Sequence, residues 1–301
     1  MNRLACTLLM VSGLLWGPIV GAQGLLDALN EGVEEPTLPV TATFKDTRIV
    51  NVQSNETPAE GVLHFVIAHR FGPLSAGAYD LWGLDNAQMR MAFDYGITDG
   101  VSVGVARSTL QKTYEANFKA RLVRQSQGPN AIPLSVTWYS VVMADGRQLK
   151  ELANGRPLNE IEPYAFSHRL SYVHQAIVAR KWNDNLSLAL VPSFVHRNFV
   201  ETSQEAHDLW LLGLGGRYKL TSRLSVNAEY HHFLTESFLD GASPSLSLGV
   251  DIETGGHVFQ LHVTNAQGMF ERSFLAEPGG SWGNGDVYFG FNLSRVFTVK
   301  S

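Results

Sequence analysis

Three kinds of side chain in this 301-residue sequence have types and spacing that chemistry could use: a serine framed by glycines, a scatter of histidines, and charges at every second position. The serine is Ser102 in G-V-S-V-G, residues 100–104, which matches the G-x-S-x-G frame of a nucleophile elbow. That elbow needs a strand, a sharp turn and then a helix, so that the hydroxyl stands clear of the backbone. Here T-D-G precedes the serine and V-S-V-G-V-A follows it, which reads as a turn and then a plain strand with Ser102 on its polar side. No H-E-x-x-H or phosphate-loop pattern occurs. No catalytic residue is assigned, and the chain is read as a non-enzyme.

Ten histidines raise the question of a metal. His231 and His232 are neighbours on a strand pattern, so they point to opposite faces and cannot clasp one ion. His262 could meet Glu229 or Glu253 only if the fold brings them together. The one cysteine, Cys6, lies in the first residues, and C-x-x-C-H is absent, so thiolate clusters, disulfides and c-type haem attachment are excluded from the rest of the chain. No metal and no cofactor is expected.

The alternating charges are more informative. In L-S-V-N-A-E-Y-H-H-F, residues 224–233, Leu224, Val226, Ala228 and Tyr230 fall on one side of a strand. Ser225, Asn227, Glu229 and His231 fall on the other, because strand side chains alternate with period two. Four further segments repeat this, at 87–95, 114–122, 212–220 and 246–253. Their polar faces carry Arg90, Asp94, Glu115, Lys119, Arg121, Arg217, Lys219, Glu229, Asp251 and Glu253, five charges of each sign. With His231 and His262 these are the candidate lining of a lumen. The apolar faces carry no charge, as a lipid-facing wall requires, since Lys or Arg at mid-bilayer costs about 2–4 kcal/mol. The buried face of a soluble barrel would exclude charge too, so the count sets segregation and not direction.

The elements that hold these faces are twelve strands, at 61–71, 87–97, 101–109, 113–125, 132–145, 164–181, 186–200, 208–220, 223–235, 244–253, 257–265 and 286–299. Many exceed the usual five or six residues, and about 9–11 tilted residues cross a bilayer. Short turns such as T-D-G, W-N-D-N, T-S-R and T-G-G alternate with longer loops, the habit of outer-membrane barrels. Only the loop near 110–112 breaks the pattern. Tyr95, Trp182 and Tyr218 fall near the short-turn rim, and Tyr114, Trp210 and Tyr230 near the opposite rim, as interfacial belts would. In the last strand Arg295 would point outward, which predicts a bulge or a snorkelling position. The expected fold is all-β, an antiparallel up-and-down transmembrane β-barrel of about 12 strands.

Residues 1–22, with Arg3, an apolar stretch and small Gly21 and Ala22, read as a signal peptide. Residues 23–60 read as a weakly structured N-terminal periplasmic segment, and 61–301 as the barrel. A net charge of −5 with 17% charged residues gives no sign of a nucleic-acid partner.

The chain also resembles an uncharacterised bacterial outer-membrane β-barrel family, a domain of unknown function. The stretches that carry the likeness are F-K-D-T-R-I-V-N at 44–51, H-R-F-G at 69–72, L-D-N-A-Q-M-R-M-A-F-D-Y-G-I-T at 84–98 and R-K-W-N-D at 180–184. Further along come V-H-R-N at 195–198, G-G-R-Y-K-L-T at 215–221, G-V-D-I-E-T-G-G-H-V-F-Q-L at 249–261 and F-G-F-N-L-S-R-V-F at 289–297. The resemblance implies a barrel in the outer membrane, in contact with its lipid and with the barrel-assembly machinery. It departs at the end: Phe297 is followed by T-V-K-S, whereas many such barrels finish on the aromatic residue that this machinery reads. The expected function is a passive pore for small polar solutes; the alternative is a closed barrel with a structural or partner-binding role, its loops 146–163 and 266–285 as contact surfaces.

Overall fold

A computed structural model of the chain describes residues 36–148, 165–200, 205–235 and 243–300; the expected signal peptide and most of loop 146–163 lie outside them. Twelve antiparallel strands close into one barrel. They are β1 (Val62–Pro73), β2 (Ala87–Thr98), β3 (Val101–Ser108), β4 (Tyr114–Val123), β5 (Ser135–Ala144) and β6 (Leu170–Lys181). The second half is β7 (Leu186–Arg197), β8 (Asp208–Lys219), β9 (Leu224–Phe233), β10 (Leu246–Thr254), β11 (His257–Thr264) and β12 (Tyr288–Thr298). Each strand pairs with the next, and β12 pairs back onto β1. Closure satisfies the backbone ladder without an edge, the condition for crossing hydrocarbon with strands.

Burial decides which face looks inward. On β7, Leu188, Leu190 and Pro192 are exposed on the outer surface, while Ser187, Ala189, Val191, Ser193 and Val195 are buried inside. Across the barrel, Phe93, Val103, Phe118, Leu214, Val226 and Leu248 are likewise exposed outward. The greasy face therefore meets lipid. Both aromatic rims are present, and guanidinium groups lie over their rings: Arg180 is 4.2 Å from the Trp182 centroid and Arg107 5.4 Å from that of Tyr114. Arg295 does point outward, 4.9 Å above the Phe297 ring near a strand end. The bulge in β12 sits at its other end, between Tyr288 and Gly290.

The interior differs from an empty tube. Leu38 and Pro39 pair with Gln127 and Ser126 in the connection between β4 and β5, so the chain arrives at the short-turn rim. It then turns into the barrel. Arg48 bridges Gln53, the Ile49 amide donates to the Val52 carbonyl at 2.8 Å, and the Ser54 amide to the Thr47 carbonyl at 2.8 Å. These close a hairpin whose tip is Val50–Asn51. Phe44, Ile49, Val50 and Val52 within it are at most 2% exposed. The described part of the segment read as weakly structured is thus largely a hairpin inside the wall. Its own backbone bonds close the turn, and the wall supplies its other partners.

From the opposite rim the β11–β12 connection also folds inward. Its short helix α1 (Glu271–Ala276) packs on β6 and β7, with Phe270, Phe274 and Leu275 fully buried. These join Tyr139 and Met143 of β5, Ile177 of β6, Val191 of β7, Leu211 of β8 and the hairpin's Phe44, Ile49 and Val52 in one apolar cluster.

Candidate functional site: the filled lumen

Alternation places all twelve expected lining residues on the inner face. They do not line open water. Arg90, Glu115, Lys119, Glu229, His231 and His262 are each at most 4% exposed.

What holds them is the inserted chain. The Glu229 carboxylate, at the middle of β9, accepts three consecutive amide N–H groups of the hairpin tip, from Val50 at 3.1 Å, Asn51 at 3.0 Å and Val52 at 3.1 Å. Each is a charge-assisted bond, the stronger class of hydrogen bond. Opposite it, Lys119 donates to the Thr47 carbonyl at 3.0 Å and to Gln53 Oε1 at 3.1 Å. Arg121 donates to the Asn55 carbonyl at 3.3 Å and to Thr57 Oγ1 at 2.8 Å, with Glu56 at 3.7 Å. Glu253 forms an ion pair with Lys45.

Other members of the set are satisfied within the wall. Arg90 and Glu115 make a bidentate pair at 2.8 and 2.7 Å. Asp94 accepts from Asn117 at 3.0 Å. Arg217 donates to Ser225 Oγ at 3.1 Å, and that hydroxyl donates to Asp251 at 3.2 Å. Lys219 is half-buried on the inner face near the short-turn rim. His262 meets neither Glu229 nor Glu253; its Nε2 lies 2.9 Å from Arg70. His231 Nε2 is 4.0 Å from Glu229, and its ring sits against Phe274. Among the described residues no group of three His, Cys, Asp or Glu could hold a metal ion. Ser102 is buried inside β3, in a continuous strand without the turn an elbow needs.

Several residues that matter most were not singled out by sequence. Arg70, wholly buried on β1, donates to Asn51 Oδ1 at 2.8 Å. His64 on β1 contacts Asp46 at 2.8 Å. Gln260 donates to the Ile49 carbonyl at 2.7 Å and Asn292 to that of Val50 at 3.2 Å. In α1, Glu271 accepts from Arg48 at 2.6 Å, which ties the two inserted segments together. Burial would raise the Asp46 carboxyl, but the attraction and hydrogen bond of His64, with help from Ser294 and the Thr47 amide, hold it below the usual carboxylate range. Burial likewise pushes Glu271 up, and Arg48 and Arg90 bring it below its ordinary value.

Two glycines make room for the hairpin. A Cβ on Gly215 would run into Ile49 Cδ1, and one on Gly249 would lie 3.1 Å from Val50 Cγ2. The space is limited: twelve strands about 4.8 Å apart and tilted about 40° close into a ring roughly 24 Å across. Inward side chains take up much of that span from both sides, and what remains is about the width of one hairpin.

A closed antiparallel sheet with an apolar outer wall, two aromatic rims and its ionised side chains enclosed defines a membrane-spanning β-barrel of the outer membrane. The chain belongs to the family described as membrane bound beta barrel domain (DUF5777), which it matches over residues 44–297. No curated protein matches it. Among solved structures it is similar to the NanC porin, at 8% identity and TM-score 0.47, over 79% of this chain and 100% of that one. It is also similar to the KdgM porin, at 10% identity and TM-score 0.44, over 78% of this chain and 99% of that one. A third similarity is to outer membrane phospholipase A from Escherichia coli, at 10% identity and TM-score 0.43, over 82% and 95% of the two chains.

Proposed function

We propose that this protein is a pore for small polar solutes held closed by its own hairpin, residues 43–55. The single observation behind this is the Glu229 clamp: one wall carboxylate gathers the three amides of the hairpin tip. Around it, the hairpin's bonds to β1, β4 and β9–β12 are largely hydrogen bonds and ion pairs, which water can replace one for one when the hairpin withdraws. The segment leading to it, at 36–40, is mostly exposed at the short-turn rim, and withdrawal in that direction must strip Phe44, Ile49 and Val52 from the apolar cluster. On this reading the protein is exported by its leader and inserted by the barrel-assembly machinery.

A permanently sealed barrel with a structural or partner-binding role is the second reading. The observation that favours it is α1, whose apolar side chains sit in the cluster on β6 and β7 and whose Glu271 grips Arg48. Single-channel recording in planar bilayers separates the two. The closed-pore reading expects rare, brief openings from the intact protein and frequent ones from Glu229→Gln. If both stay sealed while remaining correctly folded, the pore is wrong and the sealed barrel stands.

A further inference from the structure

The hairpin does more than fill space; it is sorted by polarity. In a ring of twelve, β4 and β10 are six strands apart and face each other across the lumen. The β1–β4 side offers donors and cations to the hairpin: His64 to Asp46, Arg70 to Asn51 Oδ1, Lys119 to the Thr47 carbonyl and Arg121 to the Asn55 carbonyl. The β9–β10 side offers anions: Glu229 to the tip amides and Glu253 to Lys45. Charges of the wrong sign are held within the wall: Glu115 is paired with Arg90, Asp94 accepts from Asn117, and Arg217 donates to Ser225, whose hydroxyl donates to Asp251. A segment that occupies a site reports the chemistry that the site accepts.

We infer that the lumen is a binding site for zwitterionic, extended, peptide-like solutes, and that the hairpin occupies it as an internal stand-in. The solute's carboxylate and carbonyls would turn toward Lys119 and Arg121 on β4. Its ammonium group and amides would turn toward Glu229 and Glu253. A transverse field of this kind attracts both ends of a zwitterion, whereas a singly charged analogue gains at one wall and loses at the other. The inference rests on the reading that the hairpin can leave.

The test uses the full chain carrying Lys45→Glu, which repels the hairpin from Glu253 and leaves every wall residue intact. Currents are recorded in planar bilayers with trialanine, N-acetyl-trialanine, trialanine amide and maltotriose. Trialanine is expected to block the open channel at concentrations about ten-fold lower than either capped peptide or the sugar, one decade being the effect of a single well-placed charge contact. Equal block by all four would overturn the solute class and leave the closed pore standing. Asp46→Asn, a second hairpin variant, serves if Lys45→Glu does not assemble. If neither hairpin variant opens although Glu229→Gln does, the hairpin's charges do not hold it in place, and the inferred class falls. If Glu229→Gln also stays shut, the closed pore falls and the class with it.

Discussion

The inner wall divides into two unequal parts, eight strands and four, that meet different occupants. From β9 round through β12 to β4 it presents Glu229, Asp251, Gln260, Asn292, Arg70, Arg90 and Lys119, and it grips backbone groups and charges. From β5 to β8 it presents Tyr139, Met143, Ile177, Val191, Leu209 and Leu211, and it takes the apolar side chains of the hairpin and α1. The first part has a surface that water or a polar solute would wet if the hairpin left, as the closed-pore reading requires. The second would stay dry, because stripping its apolar cover exposes hydrocarbon at about 25 cal/mol per Å². On the closed-pore reading, a lock and a core are separate: the gripping strands would decide whether the lumen is closed, the others how stable the closed barrel is.

The largest expected effect belongs to the dry part. Ile177→Ala, at a fully buried site in β6, leaves a cavity and should cost about 2–5 kcal/mol. It should lower the thermal unfolding midpoint in detergent while leaving single-channel openings close to those of the intact protein. A matching rise in openings would erase the distinction between the two parts.

On the gripping part the expectation reverses. Glu229→Gln keeps an acceptor but removes its charge, and bonds to charged groups are worth about 1.5–3 kcal/mol against about 1 for neutral ones. A net loss of about 2 kcal/mol in hairpin docking corresponds to roughly a thirty-fold rise in open probability. Amide exchange at Val50, Asn51 and Val52 should quicken by a similar factor, with the unfolding midpoint nearly unchanged. Gly215→Val probes the seam between the two parts. Its side chain would displace Ile49, and overpacking costs about 1–3 kcal/mol. It should raise exchange at the tip, and a smaller Gly215→Ala should do so less; no change in either would place the tip elsewhere.

How the sequence reads depends on the same divide. Twelve strands and their parity follow from period-two alternation, and the observed ends fall within a few residues except for the start of β6, which begins at Leu170. The wall charges were legible for the same reason. The hairpin was not, because T-F-K-D-T-R-I-V-N-V-Q-S-N has neither a helical nor a strand period, and its partners lie many residues away. One signal was present. S-V-T-W-Y-S-V-V-M-A and L-S-L-A-L-V-P-S-F-V are apolar at many positions of both parities, and strands buried on both faces read that way. Lipid can cover only one of those faces, so something within the lumen had to cover the other. The family likeness beginning at Phe44, ahead of the first barrel strand, pointed to the same segment.

The smallest expected effect concerns acid. Asp46 is held below its ordinary carboxylate range when the hairpin is docked, whereas an undocked, solvated aspartate titrates near about 4. A group depressed in the docked state stabilises docking fully above the undocked value, and that contribution fades as pH falls through the docked one. Glu271, lowered by Arg48 and Arg90, carries the same sign. Openings should therefore be low at about pH 5 and rise a few-fold as pH drops below about 4. Asp46→Asn should show the raised level already at neutral pH and respond less to acid. Because both carboxyls belong to inserted segments, whereas Ile177 does not titrate, Ile177→Ala should follow the acid response of the intact protein. If acid instead lowered the unfolding midpoint without opening the channel, Asp46 and Glu271 would belong to the core and not to the lock.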